Sequence, residues 1–102
     1  MHATVRRYEG VDETRRQELT KKVNENLIPR LSKLPGFSGY YLIEAGSGVM
    51  TSVSLFDTAA QVEESSQLAA RWVQDDLLTA AVPNPPKITV GEVVAARTGV
   101  GV

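Results

Sequence analysis

Leu34-Pro-Gly-Phe-Ser-Gly-Tyr-Tyr-Leu-Ile-Glu-Ala-Gly-Ser-Gly-Val-Met-Thr-Ser-Val-Ser-Leu-Phe-Asp57 decides the fold of this 102-residue chain. Phe37 to Ala45 and Val49 to Asp57 are strand-length runs rich in aromatic and β-branched residues. Gly46-Ser47-Gly48 lies between them and can take positive φ, so the stretch predicts a β-hairpin. Because the glycine run opens no helix, it reads as a turn and not as a phosphate cradle.

Amphipathic helices flank the hairpin. Upstream, Gly10 closes a strand from His2 to Glu9, and Asp12 is placed to cap a helix running toward Leu34. Leu19, Val23, Leu27 or Ile28, Leu31 and Leu34 recur at spacings of three and four and form one apolar stripe. Pro29 removes a backbone donor inside that pattern, which predicts a kink or short break near Leu27-Ile28. Downstream, Thr58 and Gln61 have the spacing of a capping box. The second helix is expected to follow, with Val62, Ser66, Ala69, Val73, Leu77 and Ala80 inward and Leu68 and Trp72 on one shoulder. Pro83-Asn-Pro-Pro86 ends it, and Lys87 to Ala95 reads as a last strand. The order is β-α-β-β-α-β, predicting an α+β, ferredoxin-like, antiparallel four-stranded sheet with two helices on one face. Residues 1–96 are expected to form one domain, and 97–102 a flexible C-terminal tail.

Alternation splits each strand between the two sheet faces. Ala3, Val5, Tyr41, Ile43, Val53, Leu55, Ile88, Val90 and Val94 form the more apolar set, together with Phe37 and Val49, and are expected beneath the helices. His2, Thr4, Arg6, Tyr8, Tyr40, Leu42, Met50, Ser52, Ser54 and Phe56 form a mixed set, expected to meet another subunit. A sheet of this kind also leaves two unpaired edges, so a homodimer is expected.

Composition narrows the partners. Eleven Lys+Arg against twelve Asp+Glu give a net charge of -1, providing no general basic field for nucleic acid or an anionic membrane. No run approaches the ~20 apolar residues of a membrane span, and the N-terminal residues lack a signal-peptide core, so the expected location is cytoplasmic. The absence of cysteine removes disulfides and thiolate chemistry, and with a single histidine a transition-metal site is not expected.

The element order, Leu34-Pro35-Gly36-Phe37 leading into strand two, Phe56-Asp57-Thr58 leaving strand three and a tryptophan in helix two together resemble the antibiotic-biosynthesis-monooxygenase-like group, from about Thr4 to Ala95. The resemblance implies ferredoxin-like homodimers closing into an α/β barrel, some with a pocket between helices and sheet. It implies activities that include cofactor-independent oxidation of aromatic polyketides, quinol oxidation and haem degradation, while many relatives have none established. The haem-degrading residues are not matched: Arg6 and Arg7 stand where strand one carries asparagine, Ser65 and Ser66 where helix two carries tryptophan, and Asp75 near the histidine position. Phe56 replaces a tryptophan at the end of strand three, and Leu68 stands four residues before Trp72 where polyketide oxidases pair asparagine with tryptophan. No cofactor is implied.

This leaves a catalytic set unknown and three ligand-binding candidates. Trp72 offers an apolar ring face and one donor, Tyr41 a phenolic donor, and Arg7 a fork for a carboxylate or enolate. On the same parity, Tyr40 and Arg6 are expected to face the barrel. Packing and salt bridges to Glu9, Glu44 or Glu92 are the structural roles open to these residues. The functional expectation is a cofactor-independent monooxygenase acting on a small aromatic or phenolic ligand; the alternative is a non-catalytic binding or stress-related accessory barrel.

Overall fold

In a computed structural model that describes residues 1–75, 78, 81–97 and 99, four strands form one antiparallel sheet. The strands are β1 (His2–Tyr8), β2 (Phe37–Gly46), β3 (Val49–Phe56) and β4 (Lys87–Glu92), in spatial order β2-β3-β1-β4. Each crossover from β1 to β2 and from β3 to β4 skips one strand, giving the ferredoxin-like split pair of βαβ units. The hairpin turn forms as expected, with φ of 83° at Gly46, 55° at Ser47 and 75° at Gly48.

The first helical stretch begins at Asp12, whose carboxylate accepts from the Thr14 backbone N–H at 3.0 Å. A single 3₁₀ turn (Glu13–Arg15) leads into α1 (Arg16–Lys22), a π turn (Val23–Leu27) and α2 (Ile28–Ser32). Pro29 explains the widened turn. It cannot donate to the carbonyl four residues back, and the helix opens so that the Ile28 N–H reaches Val23 O instead. Leu19, Val23, Leu27 and Leu31 are buried as the stripe predicts. The helix ends at Leu34-Pro35-Gly36, where Gly36 has φ of 77°.

α3 (Ala59–Asp75) starts with the expected capping box. Thr58 N–H donates to Gln61 Oε1 at 3.0 Å, and Gln61 N–H donates to Thr58 Oγ1 at 3.2 Å. Its buried residues are Val62, Ser65, Ala69 and Trp72, so the inward stripe is rotated from the expected one and carries Trp72 into the interior. Leu77 and Ala80 of that stripe, and four of the six expected tail residues, lie outside the described residues. Among the described residues no helix is long and apolar enough to cross a membrane.

The face assignment is reversed. Thr4, Arg6, Met50, Ser52, Ser54 and Phe56 are buried beneath the helices, while Tyr41 and Ile43 on the opposite face are 61% and 48% exposed. Register explains the partners: Val5 is opposite Val53, and Tyr41 is also opposite Val53, so these apolar residues share the open face. Phe37 nevertheless reaches the core, because a bulge at Ser38 shifts its parity and sets its ring edge-on to Phe56 at 5.6 Å. Ile88 and Val90 lie opposite Arg6 and Thr4 on the helix side but remain about half exposed. The fully buried Phe56, Val62 and Leu31 each contribute about 1.5–3 kcal/mol through burial.

Candidate functional site

The reversal places a polar strip where a hydrophobic core would be expected. Along β1, Thr4, Arg6 and Tyr8 point to the helices, and directly across from them on β3 stand Ser54, Ser52 and Met50. Tyr40 and Leu42 extend the same surface on β2, opposite Ser54 and Ser52. Above this floor lie the buried Leu19, Val23 and Leu27 of the first helical stretch, and Ala69 and Trp72 of α3.

Two cavities lie between the layers. An inner chamber of about 40 Å³ is bounded by Arg6, Tyr8, Tyr40, Ser52, Trp72 and the apolar residues above them. An outer cleft of about 340 Å³ adjoins it, between α3, the Pro83–Pro86 loop and Ile88 of β4. Arg6, Tyr8, Val73 and Val82 line both spaces and form their boundary.

Arg6 is the unusual residue. Its side chain is 5% exposed, and among the described residues its Nη2 has no hydrogen-bond partner and no carboxylate pairs with it. Guanidinium is a permanent cation, and burying a charge without a partner costs several kcal/mol. Trp72 is 2% exposed, and its Nε1 likewise has no partner among the described residues. Two donors therefore stand unused beside one space.

The phenols are held neutral. Burial, reinforced by Tyr8, pushes Tyr40 up to about 12, against the opposing influence of Ser52 and Arg6. Burial also raises Tyr8, opposed by Arg6. At neutral pH both are O–H donors. No Asp, Glu, His, Lys or Cys is among the described residues lining either cavity. The site can therefore bind and orient an anion, but a ligand must arrive already ionised or lose its proton through the influence of Arg6.

Of the sequence candidates, only Trp72 reaches the cavity. Arg7 is on the open face and pairs with Glu9 at 3.2 Å; Tyr41 is on the same face, two strands away on β2. Their neighbours Arg6 and Tyr40 occupy the helix side, a consequence of the one-residue difference in phase. Glu44 pairs with Arg16 at 2.7 Å. His2 belongs to the helix-side register but lies opposite Phe56, away from both cavities. Tyr8, Ser52 and Arg6 had a sequence signal: polar residues at matching parity in adjacent strands, which mark a lined cavity as readily as a subunit contact.

No family model matches the chain, and no curated protein matches it. Solved structures do. A putative antibiotic biosynthesis monooxygenase from Bordetella bronchiseptica superimposes with a TM-score of 0.73 at 16% identity, covering 92% of this chain and 97% of that one. A monooxygenase from Streptomyces coelicolor, in complex with Nanaomycin D, gives 0.72 at 14% identity over 96% and 91%. A dimeric ferredoxin-like protein from an uncultured marine organism gives 0.63 at 15% identity over 96% and 97%. The chain shares the ferredoxin-like fold of these proteins. In this chain the buried Arg6, unpaired among the described residues, stands at the junction of the two cavities.

Proposed function

We propose that the protein is a homodimeric, cofactor-independent monooxygenase whose substrate is an acidic phenol or enol bound as its anion. The observation that carries this reading is Arg6, a buried cation without a counter-charge among the described residues, facing a cavity also lined by Trp72 and two neutral tyrosines. An oxyanion there would gain charge-assisted hydrogen bonds, roughly twice as strong as neutral ones. The anion is also the electron-rich form of the substrate. A ring carbon ortho to the oxygen forms a C–O bond with dioxygen, loses its hydrogen as a proton, and the O–O bond breaks. The products are a quinone and water, so phenol plus dioxygen balances, and all four electrons come from the substrate. Arg6 holds the anion, Tyr8 and Tyr40 donate to oxygen atoms as charge moves, and Trp72 supplies a ring face and a donor.

Homodimerisation is supported by the open apolar face carrying Val5, Tyr41, Ile43, Val53 and Leu55. The dimeric ferredoxin-like protein of similar fold supports it further. That no carboxylate or imidazole is among the described residues lining the cavity favours a second reading, a non-catalytic receptor for an anionic aromatic metabolite. Oxygen consumption with polyketide-like phenols that carry hydrogen at the reacting ring carbon separates the two. Stoichiometric oxygen uptake and quinone formation, lost on Arg6→Met, support the oxygenase; tight binding without uptake supports the receptor.

A further inference from the structure

We propose that the inner chamber is a binding site for dioxygen, separate from the cleft that takes the organic ligand; this rests on the oxygenase reading above. The first argument is size. Apolar cavities of about 150 Å³ take up benzene, and a single water needs about 10–15 Å³ of such space. A space of about 40 Å³ therefore excludes an aromatic ring but admits a diatomic molecule, whereas the adjoining 340 Å³ has room for a ring system.

The second argument is position. Arg6 and Tyr8 stand at the boundary, so a ligand anchored on Arg6 by its oxyanion lies with its rings among Ala70, Val73, Pro83, Pro85 and Ile88 and leaves the inner chamber unfilled. The third is chemistry. The apolar part of the lining, Leu42 and Met50 on the floor and Leu19, Val23, Leu27 and Ala69 above it, favours a neutral apolar molecule over water. A water needs two to four polar partners, and a bound anion would claim the strongest donor there, the Arg6 guanidinium. Dioxygen held in this chamber lies against the ring carbons of the bound anion. The C–O bond then forms between two positioned reactants and not through a chance encounter. The oxidant enters the balance given above unchanged: one oxygen atom goes to the quinone and one to water.

Two measurements test this. Crystals pressurised with xenon, an apolar atom that needs no activity to be seen, should show it in the inner chamber of the wild type and not of Ala69→Leu, whose added carbons fill that space. In turnover with a phenol, Ala69→Leu should raise KM for oxygen by about tenfold, the lower range for one methylene's misfit in an apolar pocket, with KM for the phenol changed less than about twofold. If Ala69→Leu does not fold, Ala69→Val serves the same purpose with a smaller shift. Xenon absent from the chamber, or both KM values moving together, overturns the proposal. Xenon in the chamber with no turnover on any phenol overturns the reaction, not the capacity of the chamber for a small apolar molecule.

Discussion

Replacing Arg6 by methionine should make the protein more stable and weaken its hold on the ligand. The guanidinium is 5% exposed, and its Nη2 is unpartnered among the described residues. The small chamber beside it has room for no more than about three waters, short of a full hydration shell for the charge. Exchanging buried charge for an apolar side chain of similar length is neutral or stabilising by about 1–4 kcal/mol in comparable cases. Methionine is flexible enough to follow the same path beneath Trp72. For a domain of about 100 residues, each 1 kcal/mol moves Tm by about 4–8 °C, so the gain is readable by thermal denaturation. An acidic hydroxynaphthoquinone, added anaerobically at about 100 times its Kd, should stabilise the wild type by about 2.7 kcal/mol. Arg6→Met should weaken that binding by about 2–4 kcal/mol, or roughly 30- to 1000-fold, and cut the ligand-induced stabilisation to below about 1 kcal/mol. A lower Tm for the variant without ligand would refute the reasoning, because it would mean that the guanidinium is well paired in the folded protein. Higher Tm with unchanged binding would separate Arg6 from the site.

Three further outcomes are expected. Because Tyr40 rises from 10.0 to about 12 on folding, its contribution is complete below pH 10 and is lost as pH rises through 12, a change of about 2–3 kcal/mol; denaturant titrations across that window should show the loss, and Tyr40→Phe should flatten it. Gly36→Ala would place a methyl group against the Gln61 carboxamide at a positive φ, costing about 1–3 kcal/mol through strain and the lost cap. Removing the amide by Gln61→Ala should then cost almost nothing more in the Gly36→Ala protein, and full additivity in a double-mutant cycle would refute that coupling. Sedimentation should find wild-type dimers at micromolar concentration, and Ile43→Lys with Val53→Asp should yield folded monomers; a wild-type monomer would end the inference that the open face is an interface.

Local features were legible because each depends on a few adjacent residues. Asp12, the Thr58-Gln61 box, the Gly46-Ser47-Gly48 turn and the disturbance before Pro29 all follow from backbone donors that need partners within one turn. The Leu19, Val23, Leu27 and Leu31 stripe was equally plain because that helix has one buried side. Helix two was harder to phase. Small residues such as Ser65, Ser66, Ala69 and Ala70 give little contrast between faces, so the rotation that buries Trp72 was not decided by pattern alone.

The sheet failed for a different reason, and that reason bears on function. Alternation separates two faces but identifies the covered one only when water lies against the other. Here the helix side mixes Phe56, Met50 and Leu42 with Thr4, Arg6, Ser52 and Ser54, while the open side carries Val5, Tyr41, Ile43, Val53 and Leu55. A face that only had to seal a core would gain from replacing each of those polar groups by a hydrocarbon, since buried unpartnered polar atoms are destabilising. Thr4 Oγ1, Arg6 Nη2 and Trp72 Nε1 remain unpartnered among the described residues, and two of the three residues line the inner chamber. Their cost is the expected signature of a surface shaped by what it binds, and the apolar burden moves to the opposite face, where a second subunit can cover it. The misassigned phase and the candidate site thus have one physical origin: in this sheet the more polar side is the interior.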